Sequence, residues 1–245
     1  MALIKGESNI IEKVILSQLD NKNVMNIVDE RTLPYRELMT YYRCALMEVE
    51  TKFKVLNEAL SVQYDTNPIE SIKTRIKSPE SILEKLNRKG YPLSVESIEE
   101  NLNDIAGVRV ICSHPQEIYD LAEAFLNQDD IQLIKKKDYI KNPKESGYRS
   151  LHLIVKVGVF FSDQKREIPV EIQIRTIAMD FWASLEHQLH YKKDYPMPEG
   201  IARELKSIAD NIACNDERMQ HLAENIPGFV KYTEEDIPNS GGKSY

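Results

Sequence analysis

From Asn67 onward the sequence predicts an α+β domain, preceded by a long helix. Three observations carry that reading. Short apolar runs of strand length alternate with amphipathic runs of helix length after Asn67, the texture of a mixed sheet with helices packed on it. Residues Leu151–Val157 and Val170–Arg175 alternate apolar and polar without a break, which marks half-buried strands. In the first third, Leu38, Tyr42, Ala45, Val49, Phe53, Leu56 and Leu60 recur at steps of three and four over a glycine-free stretch, the spacing of one helix face.

The elements follow in order. Pro34 suits the first turn of the long helix, and the apolar segment Ile10–Leu19 before it adds sticky surface for a subunit interface or for packing on the domain. Pro68 marks the border. Ser78-Pro79 offers an N-cap and a first-turn proline for a helix that Gly90 ends. Val108–Cys112 reads as a short buried strand, Gln116–Asn127 as an amphipathic helix and Ile131–Ile134 as a second strand. Thr176 caps a helix to about Tyr191, and one more helix spans Ile201 to about Ala223. The tail from Pro227 is expected to be loose. The expected division is 1–66 as an N-terminal helical extension, 67–192 as the domain proper, and 193–245 as a C-terminal helix and tail.

Composition narrows the function. Asp and Glu exceed Lys and Arg by 39 to 32, for a net charge of -7, so long-range attraction to nucleic acid is disfavoured and a phosphorylated ligand needs a local basic pocket. Cys44, Cys112 and Cys214 are far apart and in no CxxC arrangement, which argues against a disulfide framework or structural zinc. No run approaches the ~20 apolar residues of a membrane span. A cytoplasmic protein without membrane association is expected.

Four stretches carry chemistry. Arg75, Lys77, Ser81 and Lys85 lead cations and a hydroxyl into a helix N-terminus, where unpaired N–H groups attract phosphate; a solvated basic helix start is an equally ordinary reading. Asp104-Ile105-Ala106-Gly107-Val108-Arg109 places a carboxylate before a strand and an arginine within it, although an Asp there is more often a turn residue. On the last strand Glu171, Gln173 and Arg175 share a face opposite Val170, Ile172 and Ile174, able to hold a metal, a sugar hydroxyl and a phosphate, or else to form a solvated sheet edge. Asp104 paired with Glu171 suits Mg²⁺, which takes one or two carboxylates plus substrate phosphates. Lys144, Tyr148, Arg149 and His152 form a basic loop with an aromatic platform, where a loop tyrosine is otherwise a buried anchor. His187 and His190 beside Glu186 lack an HExxH pattern, and no GxxxxGK[ST] or GxGxxG loop occurs.

Taken in order, Arg75-x-Lys77-Ser78-x-x-Ser81-Ile82, Asp104-Ile105-Ala106-Gly107-Val108-Arg109, Ser146-Gly147-Tyr148-Arg149-Ser150-Leu151-His152 and Glu171-Ile172-Gln173-Ile174-Arg175-Thr176 closely resemble the synthetase domain of the RelA/SpoT family. The match extends through Ala178–Ala183 and Glu186-His187, over about residues 67–192. The resemblance implies a nucleotidyltransferase-like mixed β-sheet flanked by helices, with N- and C-terminal helical extensions. It implies a small, single-domain alarmone synthetase without hydrolase activity, since no His-Asp dipeptide occurs. Its reaction is transfer of the β,γ-pyrophosphate of ATP to the 3′-hydroxyl of GTP or GDP, with AMP released.

Carried onto matching positions, the resemblance implies that Arg75 and Arg109 sandwich the adenine of ATP while Lys77, Ser81 and Lys85 hold its phosphates. Asp104 and Glu171 bind Mg²⁺, and Glu171 serves as general base. Tyr148 stacks on guanine, with Lys144, Arg149, His152, Gln173 and Arg175 around the acceptor and Glu186 supporting that pocket. A homotetramer is implied. Glu50, Lys54, Asn57, Glu70, Ser71 and Lys73 depart from the basic and aromatic set of the alarmone-stimulated branch, which sets the chain nearer the RelP-like than the RelQ-like branch. Two alternatives stay open: a related pyrophosphokinase with another acceptor, an adenine nucleotide or a tRNA end, and a non-catalytic nucleotide- or RNA-binding regulator.

Overall fold

The computed structural model describes residues 21–64, 67–191 and 198–225. Ile10–Leu19 and the tail from Pro227 lie outside the described residues. Helix α1 spans Asn21–Tyr64, and β1 Ile69–Ile76 follows it. Next come α2 Pro79–Lys89, α3 Val95–Asn101, β2 Ala106–Cys112 and α4 Pro115–Leu126. Strands β3 Ile131–Asp138, β4 Leu151–Phe160 and β5 Lys165–Thr176 precede α5 Ile177–Tyr191 and α6 Glu199–Glu224. The strands form one mixed sheet in the order β1-β2-β5-β4-β3. Only the central β2–β5 pair is parallel; its neighbours run antiparallel.

One face of this sheet is covered. Helix α1 buries Leu38, Tyr42, Ala45, Val49 and Phe53, and α4 buries Ile118, Leu121 and Phe125, in a core shared with Leu151, Leu153, Val155, Val157, Ile172 and Ile174 of the sheet. Phe53 stacks on Phe125 with ring centroids 4.4 Å apart. The apolar residues of the alternating strands are consumed on that side. The intervening residues of β4 and β5, His152, Glu171, Gln173 and Arg175, are thereby turned to the opposite face. Because β5 lies between β2 and β4, its polar row runs through the middle of the sheet and is not a solvated edge.

The helices start and stop where their caps dictate. Ser78 caps α2 by accepting from the Ser81 amide at 3.3 Å, with Pro79 in the first turn, and Gly90 ends it at φ 71°, the left-handed conformation a glycine adopts without strain. The Thr176 hydroxyl accepts from the Met179 amide at 3.1 Å and starts α5.

One expectation is corrected, and two elements are not foreseen by the sequence. Pro34 lies inside α1, whose first residue is Asn21; one proline removes one hydrogen bond, and the helix continues across it with Leu38 and Tyr42 seated on the core. Strand β1 escaped notice because a register shift between Ile69 and Ser71 leaves Ile69, Ile72 and Ile76 at helical spacing. Helix α3, only seven residues long, is too short for a periodic signal. Among the described residues no helix is long and apolar enough to cross a membrane.

Candidate active site

Strand pairing lays the polar residues out as two rows across the open face. In one, Lys73 pairs with Arg109, Arg109 with Gln173, Gln173 with His152 and His152 with Lys137. In the adjacent row, Arg75 pairs with Gly107, Gly107 with Glu171, and Glu171 with Ile154. Residues paired directly across a sheet share a face.

Glu171 stands at the junction. Its Oε2 lies 3.7 Å from Arg75 Nη2 and accepts from Gln173 Nε2 at 3.2 Å, while Oε1 lies 3.7 Å from His152 Nδ1. Arg75 reaches it by crossing Gly107: a Cβ there would stand 3.1 Å from Arg75 Nε and 3.3 Å from its Cγ. Arg75, Gly107, Arg109, Glu171 and Gln173 line a cavity of about 140 Å³. The two arginines assigned to the adenine are therefore side by side at one edge of it.

Asp104, two residues before β2, meets the segment that follows β1, where Lys77 N–H donates to the Ile105 carbonyl at 2.9 Å. Lys77, the residue just after the end of β1, donates to Asp104 Oδ2 at 2.8 Å, and Lys85 of α2 approaches the same oxygen at 2.6 Å. Burial alone raises the Asp104 carboxyl, but Lys77 and Lys85 outweigh it and hold its pKa below the ordinary value. Its Oδ1 is buried with no hydrogen-bond partner. Ser81 sits one turn before Lys85 and contacts the Ser78 hydroxyl at 3.2 Å.

The other end of the face is aromatic. Tyr148 shares its hydroxyl with His152 Nε2 at 2.8 Å and with Arg175 Nη2. Lys144 Nζ stands 4.6 Å from the Tyr148 ring centroid and Arg175 Cζ 5.0 Å, close enough for cation–π attraction. Burial first, then the cations Arg175, Lys144, Lys137 and Arg75, drive the His152 pKa down to about 3. The imidazole is therefore neutral at pH 7, with one nitrogen free to accept.

Between the two ends lies a residue for which the sequence offered no role. Asp180, in the first turn of α5, takes Arg109 Nη1 and Arg175 Nη1 on one oxygen at 3.1 Å each, and Lys73 approaches the other at 3.7 Å. Burial and the neighbouring Arg175 lower the Arg109 pKa against the opposing pull of Asp180, yet a guanidinium stays charged. Asp180 thus ties Arg109, beside Arg75 and Gly107, to Arg175 at the aromatic end. Its one signal in the sequence is an acidic residue one turn after the Thr176 cap.

Of the residues selected by sequence, Arg75, Lys77, Ser81, Lys85, Asp104, Arg109, Lys144, Tyr148, His152, Glu171, Gln173 and Arg175 fall on this face or its rim. Two do not. Arg149 is committed to α6 instead, its guanidinium donating to Asp210 at 3.0 Å and to the Ala209 carbonyl at 3.3 Å. Glu186, three turns into α5, lines a separate cavity of about 360 Å³ with Glu145, Ser146, Trp182 and Lys206, so it faces the back of the tyrosine loop. Among the described residues no three His, Cys, Asp or Glu side chains converge as a metal cluster.

Known proteins resemble this chain over most of its length. The family model described as the region found in RelA / SpoT proteins matches residues 74–195, from just before Arg75 to beyond α5. GTP pyrophosphokinase YwaC of Bacillus subtilis is 41% identical over 192 residues, covering 78% of this chain and 91% of that protein. The crystal structure of small alarmone synthetase 1 of B. subtilis bound to its product pppGpp superposes with a TM-score of 0.72 at 35% identity, covering 79% of this chain and 98% of that one. Small alarmone synthetase 2 of the same organism gives 0.71 at 42%, covering 78% and 98%. With its motifs in order on one sheet face and likeness of this extent, the chain belongs to the RelA/SpoT family, among relatives that include the small alarmone synthetases.

Proposed function

We propose that the protein is a GTP/GDP pyrophosphokinase that transfers the β,γ-pyrophosphate of ATP to the 3′-hydroxyl of GTP or GDP, forming (p)ppGpp and releasing AMP. The observation that carries this is the place of Glu171: a single carboxylate 3.7 Å from the arginine of the donor end and 3.7 Å from the histidine of the acceptor end. A group that takes a proton from one bound nucleotide so that it attacks another belongs at such a junction. The family likeness supports the reaction, and the cations at one end of the row and the tyrosine at the other support the assignment of a nucleotide to each.

On this reading Arg75 and Arg109 hold the adenine between their planar groups, and Lys77, Lys85 and the start of α2 hold the ATP phosphates. Tyr148 offers its ring to the guanine, while His152, Gln173 and Arg175 orient the ribose and phosphates. Fixing both nucleotides in line supplies most of what a phosphoryl-type transfer needs from a protein. Glu171 Oε1 takes the 3′-hydroxyl proton, and the oxygen attacks the β-phosphorus as the bond to AMP breaks.

Mg²⁺ fits the residues present. Asp104 Oδ1 is a buried oxygen without a partner, Glu171 adds a second hard oxygen donor on the same face, and the phosphates complete such a shell. When bound, the cation neutralises charge developing on the bridging oxygens. Exposed Met47, Val55 and Val62 along α1 support self-association through that helix, with a tetramer as the expected assembly to be weighed by light scattering. The free thiols Cys44, Cys112 and Cys214 are compatible with the cytoplasm.

The test is to incubate the pure protein with ATP and Mg²⁺ and, separately, GTP, GDP, GMP, ATP or tRNA, and to resolve the products. A 3′-pyrophosphorylated guanosine nucleotide with stoichiometric AMP is expected. Transfer only to ATP or tRNA would replace the acceptor, and no transfer to any would leave a binding protein.

A further inference from the structure

The loop between β3 and β4 carries Lys144 and Tyr148 to the acceptor end and closes on itself, Gly147 N–H donating to the Lys144 carbonyl at 2.8 Å and Lys144 N–H to that of Tyr148 at 3.2 Å. Its rear rests on α6. Arg149 Nη1 donates to the carbonyls of Gly147 at 3.0 Å and Ala209 at 3.3 Å, and Nη2 to Asp210 at 3.0 Å, with only 17% of the side chain exposed.

The contact is backbone-close. Gly147 adopts φ +91°, and a Cβ there would stand 2.5 Å from Ala209 Cβ and 3.5 Å from Lys206 Cα, so glycine is needed both for the left-handed turn and for the approach. Tyr148 packs against the small cluster formed by Trp182, Ala183 and Ala209. The helix is itself fixed at both ends of this contact, by Trp182 Nε1 donating to the Leu205 carbonyl at 2.9 Å and by Thr176 donating to the buried Asp216.

We propose that Arg149 is a positioning residue for the acceptor nucleotide and not one of its ligands: it fastens the tyrosine loop to α6 and so holds Tyr148 and Lys144 in their binding arrangement. The inference rests on the acceptor assignment made above. Its physical basis is the commitment of the guanidinium to two carbonyls and a carboxylate, one within the loop itself and two on α6. A loop released from α6 populates the binding arrangement for only part of the time, and apparent affinity falls by that fraction. The donor end, built on β1, β2 and α2, shares none of these contacts.

The experiment compares wild type, Arg149→Ala, Asp210→Ala, the double variant and the charge swap Arg149→Asp/Asp210→Arg. KM and kcat are measured for ATP and for GTP, GDP and GMP. Arg149→Ala is expected to raise the KM of all three acceptors by one common factor, about tenfold if the competent fraction falls to about a tenth, with kcat and the KM of ATP within about twofold. Asp210→Ala gives a smaller rise, the double variant no more than Arg149→Ala, and the swap recovers part of the loss.

A loss that grows with the number of acceptor phosphates, or an Arg149→Ala effect with Asp210→Ala silent and no recovery in the swap, would show the guanidinium touching nucleotide directly and overturn the proposal. So would a fall in kcat at unchanged KM. Trp182, the single tryptophan of the chain, reports the loop–α6 contact through its fluorescence without turnover. A changed signal in both single variants supports the fastening even where wild type transfers to no acceptor, an outcome that sinks the pyrophosphokinase reading instead; an unchanged signal in both sinks the fastening alone.

Discussion

Asp104 and Glu171 are unlike in what surrounds them, and that difference sets what each substitution should do. Two lysines share one oxygen of Asp104 and leave the other bare, whereas Glu171 sits between an arginine, an amide and an imidazole. Glu171→Gln keeps the shape and removes the base, and turnover is expected to drop by ~10²–10⁴ at nearly unchanged nucleotide KM. Asp104→Asn removes the charge that holds Lys77 and Lys85 and is expected to cost a similar factor while also raising the KM of ATP. Circular dichroism should find both folded. Near-normal turnover in either would remove that residue from the site. His152 gives a second prediction. Its pKa in the folded protein, about 3, lies below the ordinary 6.5, so the unfolded chain takes up a proton first as pH falls. Stability contributed by the neutral ring is therefore complete above pH 6.5 and is lost progressively from there toward pH 3, at up to ~1.4 kcal/mol per pH unit. Imidazole NMR of the nucleotide-free protein should find His152 neutral at pH 5, and His152→Asn should flatten the acid limb of the unfolding curve. A ring that titrates near 6.5 would contradict the burial and the surrounding cations assigned to it.

At the scale of elements, α2 shows how a cap serves a site. The Ser78 hydroxyl satisfies the Ser81 amide and fixes the first turn, from which Ser81 and Lys85 reach the donor end. Ser78→Ala is expected to cost about 1 kcal/mol, within a usual range of about 0.5–2, seen as a lower denaturation midpoint, and to raise the KM of ATP with little change for the acceptor. Equal changes in both constants would mean that the cap steadies the whole domain and not this corner. The same helix was legible in the sequence from its Ser-Pro start and Gly90 end, since caps act through neighbours in the chain. Strand β5 was legible for the same reason: alternation is local. Strand β1 was not, because a bulge changes the period, nor was the run of β3 through Lys135–Lys137, where charge hides the strand. Arg149 was assigned by motif to the acceptor end, but which way a loop residue turns is decided by what packs behind it, here a helix some 60 residues later in the chain. Asp180 is a case of the same kind. Its partners Arg109 and Lys73 lie 71 residues away and farther, and nothing nearby in sequence announces them.

For the molecule as a whole, net charge and site charge point in opposite directions, and salt separates them. The chain carries -7, yet the open face gathers Lys73, Arg75, Lys77, Lys85, Arg109, Lys144 and Arg175 around only Asp104, Glu171 and Asp180. The rest of the chain carries the remaining acidic excess. If the average charge governed encounter, polyphosphate nucleotides would be repelled and added salt would lower KM. If the local face governs it, salt screens an attraction and KM rises. The screening length is ~10 Å at 0.1 M and ~3 Å at 1 M, and a nucleotide bound on this face would lie close to several cations, so the local term should dominate. The expectation is a several-fold rise in KM for both ATP and the guanine acceptor between ~0.05 and ~0.5 M NaCl, with kcat changing less because the bound phosphates remain in contact with the same lysines and arginines. Initial rates at fixed saturating Mg²⁺ across that range check it. A KM that falls with salt would mean that the cations on this face are neutralised by their own carboxylates, above all Lys77 and Lys85 by Asp104, before either nucleotide arrives.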